Sequence, residues 1–164
     1  MYLKIFSDAS YSRVLNVDNF EFYLAGYSFV VYDSPQNKRS RLYDKEIVFK
    51  EIQELPVFNG INIEFLEAVA LMQGIKYVVA NYKKNVIVDF YCDSKNVVDK
   101  INDKIRSKNV FINQIINECT IYLAVLKNYN LQWISRKSNK MADLVLRQKL
   151  DKIVQEKEYT RTIF

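Results

Sequence analysis

Glycine and proline are scarce, at three and two residues in a chain of 164. With so few chain breakers and no Ser/Gly-rich or Pro-rich stretch, the sequence offers no linker, low-complexity segment or internal repeat, so one compact domain over residues 1–164 is expected. Cysteine is as rare as proline, at two residues. Cys92 and Cys119 lie in apolar segments without metal-ligand spacing, which argues against zinc and for two reduced, buried thiols. Long hydrophobic runs are missing too. No window approaches the roughly 18 apolar residues that a membrane span needs, and the opening MYLKIFSDAS has no apolar core leading to a cleavage site. These absences point to a soluble, cytoplasmic protein with no membrane partner.

What is present is apolar and basic. Hydrophobic residues make up 49% and charged residues 26%, enough to bury a sizeable core. The net charge of +5 favours a polyanionic partner while saying little about fold. Lys and Arg fall in small groups, QNKRSR (36–41), YKKN (82–85), DKIRSK (103–108) and SRKSNK (135–140), each of which read alone is a solvated loop or helix end. The 12 tyrosines and 10 phenylalanines sit mostly at strand or helix core spacing, so packing rather than base stacking is their expected role.

Residue patterning gives the order of elements. Residues 2–8 and 20–33 read as strands, the second a β-branched and aromatic run in which Gly26 suggests a bulge or close backbone approach, and a third strand is expected over 41–49. Residues 62–81 carry apolar residues at helical spacing, with Leu66, Val69, Ala70 and Val78 on the buried stripe. A strand over 86–92, helices over 94–105 and 110–127, a strand over 131–135 and a helix over 140–154 complete the chain. Three antiparallel strands followed by alternating helices and strands imply an α/β fold: a five-stranded mixed sheet, its last two strands parallel, flanked by helices.

Three aspartates fall at telling places on this scheme. Asp8 is expected to close the first strand, Asp93 to close the fourth, and Asp143 to lie near the start of the final helix. One strand-terminal aspartate is most simply a helix cap or turn residue. Three of them meeting at one sheet edge, with a glutamate from the long helix, would form a hard oxygen cluster suited to Mg²⁺ or Mn²⁺.

Four segments, FSDAS, LEAVALMQGI, YCDSKNVV and ISRKSNKMADLVLR, resemble in order and separation the active-site segments of the type 1 ribonuclease H family. The likeness runs from about residue 2 to 150 and rests most on the last two: Asp93, Ser94, Lys95, Val97 and Val98 in one, and Arg136, Asn139, Ala142, Asp143 and Leu144 in the other. Asp-Ala-Ser departs from the commoner Asp-Gly-Ser. The resemblance also bears on the glutamate. In the family small residues follow it at three and seven positions; Ala70 and Gly74 do so after Glu67, whereas Glu67 itself and Leu71 follow Glu64. Glu67 is therefore chosen, with Glu64 as the alternative.

The resemblance implies a ribonuclease H-like fold and cleavage of the RNA strand of an RNA–DNA hybrid with two Mg²⁺ or Mn²⁺ ions per site. Asp8, Glu67, Asp93 and Asp143 would be the catalytic and metal-binding residues, Asp8 bridging both ions, and a monomer is expected. Ser10 is a candidate RNA-side contact, and Ser94, Lys95, Arg136, Lys137 and Asn139 could meet phosphates, Ser94 equally well as a helix cap. Two features of the family are missing. The chain has no histidine, so the loop RKSNKM lacks the mobile His of many relatives, and it has no lysine-rich helical insertion to serve as a substrate handle. Alternatives are a non-catalytic hybrid- or duplex-binding module, or a DNA nuclease of the resolvase or integrase type on the same fold.

Overall fold

The computed structural model describes residues 1–34, 45–56, 62–82 and 85–161. Its elements are β1 (Tyr2–Leu15), β2 (Glu21–Ser34), β3 (Lys45–Pro56), α1 (Ile63–Asn81), β4 (Ile87–Cys92), α2 (Lys95–Asn102), α3 (Val110–Leu123), β5 (Asn128–Trp133), a 3-10 turn (Arg136–Ser138), α4 (Lys140–Glu156) and β6 (Thr160–Arg161). The sheet order is β3-β2-β1-β4-β5, with β1, β2 and β3 antiparallel and β4 and β5 parallel to β1. The expected five-stranded mixed sheet is present. A sixth strand adds to it, β6 pairing antiparallel with Val14 and Leu15.

Alternation along β1 sends its side chains to two different covers. Leu3 and Ile5 join the main core with α1, α2 and α3, and Ala9 packs on Leu66 and Ala70 of α1. Val14, on the opposite face, packs with Leu24 against Leu146 and Leu150 of α4. The close seat of α1 depends on a small residue: a Cβ at Gly74 would stand 3.2 Å from Ile5 Cγ2. Asn62 caps this helix, its side chain accepting from the Phe65 N–H at 2.8 Å. Of the stripe expected on α1, Leu66, Ala70 and Val78 are buried and Val69 is half-buried against the core.

Two expectations need correction. Asp8 does not end β1; the strand continues to Leu15 because Ser10–Leu15 pair with Glu21–Gly26 beyond it. The turn that permits this is closed by Asn16, whose side chain accepts from the Asp18 and Phe20 N–H groups, and by Asn19 at φ 62°, a region asparagine tolerates. Gly26 makes no bulge: it pairs in unbroken register with Ser10 on one side and Ile52 on the other. Of the third strand expected over 41–49, residues 41–44 lie outside the described residues, as do QNKRSR and Lys83 and Lys84. Among the described residues no helix is long and apolar enough to cross a membrane.

Candidate functional site

The site forms where two strands part. The last β1–β4 pair is Ser7 with Cys92, so Asp8 and Asp93 are the first residues past the end of the ladder. β1 continues with β2 while the chain after β4 turns into α2, and this leaves a fork in the sheet. Carboxylates reach the fork from both faces. Glu67 comes from the first turns of α1, and Asp143 from the first turn of α4 on the other side.

Burial and crowding define the electrostatics. Asp8 and Glu67 are each 5% exposed. Burial, then the charges of Asp93 and Asp143, push the Asp8 carboxyl up from 3.8 to about 7. Burial, then Asp93 and Asp8, push Glu67 up to about 10. The two share a hydrogen bond, and the Ala9 backbone N–H opposes both rises. Near neutral pH the cluster therefore holds protons wherever no cation offsets the charge. Asp143 pairs with Arg147 one turn along α4.

Among the described residues, ligand atoms of Glu67, Cys92 and Asp93 lie within 4.8 Å of one another, and Oε2 of Glu67 is buried with no hydrogen-bond partner. An orphaned carboxylate oxygen facing further carboxylates is the situation a hard divalent cation relieves. Burial pushes the Cys92 thiol upward.

An open groove of about 460 Å³ runs past this cluster, lined by Asn62, Glu64, Glu67, Asp93, Ser94, Asn96 and Arg136 among others. Glu64 is ion-paired with Lys100 of α2, which gives its carboxylate a cation of its own. Ser94 is the N-cap of α2, its hydroxyl accepting from the Val97 N–H at 3.5 Å. Lys95 is exposed at the first position of that helix. Ser10 is half-buried two residues beyond Asp8, on the same side of β1.

Asn139 stands apart from its expected role at phosphate. It is 1% exposed, and its Nδ2 donates to the Ser7 carbonyl at 2.7 Å, so it faces the strand behind the site and not the groove. Beside it the Ser28 hydroxyl donates to the Ala142 carbonyl at 2.7 Å, fixing the start of α4 a second time. Sequence reasoning also missed Trp133, whose indole N–H donates to the Asp93 carbonyl at 3.1 Å, and Asn96. For Trp133 the available signal was its place at the end of a strand parallel to the one before Asp93; for Asn96 there was none.

The family model described as reverse transcriptase-like matches residues 48–148. No curated protein sequence matches the chain. Among solved structures it is similar to the N-terminal RNase H domain of a Mycobacterium tuberculosis protein, at 19% identity and a TM-score of 0.66 over 94% of this chain and 97% of that one. It is similar to RNase H1 from the archaeon Halobacterium salinarum NRC-1, at 12% identity and a TM-score of 0.67 over 93% and 99%. A compost-derived RNase H1 in complex with an RNA/DNA hybrid gives 16% identity and a TM-score of 0.67 over 93% and 99%. At these identities the likeness is one of fold.

Proposed function

Since the chain belongs to the reverse transcriptase-like family and has the ribonuclease H fold, we propose that it is a metal-dependent endoribonuclease cutting the RNA strand of RNA–DNA hybrids. The observation that carries this reading is the meeting of Asp8, Glu67, Asp93 and Asp143 at the fork, two of them buried, with carboxyls pushed upward first by burial and then by the charges of neighbouring acids. Such a cluster is costly in a protein that merely binds phosphate, because like charges repel the ligand as well as each other. It suits one that holds divalent cations.

Asp8, Glu67 and Asp93, with Asp143 opposite, would hold two Mg²⁺ or Mn²⁺ ions. When bound, these supply Lewis acidity for the attacking water and for the leaving 3′ oxygen. The chain's own residues do the rest. β1 and β4, paired in parallel up to Ser7 and Cys92, fix where Asp8 and Asp93 stand, and α1 brings Glu67 to them. Arg136 lines the groove beside Asp93 and would steady a phosphate there by charge. Ser94, spent on its cap, would offer the substrate its hydroxyl proton, while exposed Lys95 adds attraction without sequence preference. Ser10, on the same side of β1 as Asp8, is the candidate for a ribose 2′-hydroxyl. All four acids come from one chain, which supports a monomer as the working unit; the setting we infer is cytoplasmic.

The test is direct. With Mg²⁺ or Mn²⁺ the purified protein should nick the labelled RNA of a hybrid and leave duplex DNA intact, and Asp93→Asn should abolish the nicking. Hybrid binding without cleavage under either metal would favour a binding module, and cleavage of the DNA strand a resolvase- or integrase-like nuclease.

A further inference from the structure

A second concavity lies on the α4 side of the sheet. Lys4, Phe6 and Asp8 occupy successive same-side positions on β1, so the strand face that carries the first catalytic aspartate continues directly into Phe6 and Lys4. Here α4 begins beside the strand, and a groove of about 290 Å³ opens between them, lined by Lys4, Phe6, Tyr32, Lys137, Lys140 and Met141. Its aromatic wall is ordered by cross-strand packing. Phe6 stacks on Tyr91 with centroids 4.8 Å apart and planes 17° apart, and meets Tyr32 edge-on at 5.7 Å. Unlike the core aromatics, all three are only half-buried.

Among the described residues, the charged side chains that line this groove are all lysines. Lys137 and Lys140 are exposed, and Lys4 is half-buried between Tyr32 and Asp89 in the strand register. Asp89, the carboxylate on the same face, is 2% exposed and engaged by the Tyr2 and Tyr91 hydroxyls. It therefore sits beneath the groove and not along its rim. A cationic rim over an aromatic wall is the composition that grips single-stranded nucleic acid: the lysines follow the backbone, and the rings take bases without regard to sequence. The volume is near the lower end for small-ligand pockets, about 300 Å³, which suits one base at a time.

We propose that this groove binds the single strand that continues from a hybrid held at the carboxylates. The inference rests on reading those carboxylates as a hybrid nuclease, and it adds a preference that the cluster alone does not give. Hybrids with an unpaired tail should be held more tightly than blunt ones, and the groove offers what the missing basic insertion would otherwise supply.

The experiment is an anisotropy titration of the whole chain with fluorescein-labelled oligothymidylate in EDTA, repeated over a range of KCl concentrations. The two exposed lysines, Lys137 and Lys140, predict a slope of log K against log salt of about −1.4, and Lys137→Gln with Lys140→Gln should remove most of it. Phe6→Leu should weaken binding roughly tenfold at unchanged slope, because stacking is worth about 1–3 kcal/mol per base. If the double variant melts early, Lys140→Gln alone should flatten the slope by about 0.7. An unchanged slope in the variants overturns the proposal, as does tighter binding of polyglutamate than of oligothymidylate, which would point to an acidic protein partner. Cleavage of blunt hybrid separates the two readings. A chain that cuts it normally yet shows no lysine-dependent slope keeps the nuclease and loses the groove; the reverse result keeps the groove and loses the nuclease.

Discussion

Asn139 donates to the carbonyl of Ser7, 2.7 Å away, and so ties the turn before α4 to the strand residue that precedes Asp8. One buried amide thus sets the distance between the elements that carry Asp8 and Asp143. Asn139→Ala would leave the Ser7 carbonyl buried without its donor, at a cost of about 1–3 kcal/mol. We expect a lower thermal midpoint and, although Asn139 is 1% exposed and out of reach of substrate, a cleavage rate down at least about tenfold. Full activity at normal metal concentrations would show that α4 is held well enough by Ser28 alone.

The two glutamates of α1 should separate cleanly. Glu64→Gln removes the partner of Lys100 in a part-buried pair that includes none of the proposed metal ligands, and should leave cleavage within a few-fold of normal. Glu67→Gln should abolish cleavage while hardly changing stability at neutral pH without metal, since the carboxyl it replaces is already protonated there. The opposite pattern of activities would move the catalytic role to Glu64.

Metal and pH should act on the same groups. Asp8 and Glu67 titrate higher in the folded chain than the 3.8 and 4.5 of free carboxyls, so folding takes up protons. Their stabilisation is complete below about pH 4 and declines as pH rises through about 7 for Asp8 and about 10 for Glu67. In EDTA the thermal midpoint should therefore fall between pH 5 and pH 8, roughly the span those shifts define, and saturating Mg²⁺ or Mn²⁺ should reverse the fall. A midpoint insensitive to metal at pH 8 would contradict the carboxylates as a cation site.

Trp133 offers a subtler test. Its ring is half exposed, and its N–H holds the Asp93 carbonyl at 3.1 Å. Trp133→Phe keeps an aromatic ring and loses the bond, so we expect little change in thermal midpoint, about 1 kcal/mol at most, with a higher metal concentration needed for half-maximal cleavage. An unchanged metal requirement would make the bond incidental.

Much of this architecture was legible from the chain because local patterning and global packing agree. The apolar spacing of α1, the β-branched runs of β2 and β4, and the carboxylates at the ends of elements are written in residues a few positions apart. What escaped depends on pairing between distant segments. The extension of β1 past Asp8 follows from the tight turn at Asn16–Phe20, and β6 is two residues long, held on Val14 and Leu15 with Tyr159 edge-on to Phe22. Asn139 looked like a phosphate contact because an asparagine among lysines reads as surface; only the docking of α4 on the sheet buries it. Cys92 near Glu67 and Asp93 was hidden for the same reason, its neighbours being twenty-five residues upstream on another element as well as next door.

The fork between β1 and β4 has a consequence for the order of events during synthesis. Its four acids enter the chain at Asp8, Glu67, Asp93 and last Asp143, and the first and last are brought together only when α4 lays Leu146 and Leu150 on Val14 and Leu24. A nascent chain with β1 to β5 complete already displays a hydrophobic sheet face and three of the acids, yet it lacks the helix that closes the set. On the proposed reading, cleavage would switch on with the docking of one late helix, and translation itself would keep the emerging polypeptide harmless to any hybrid it meets.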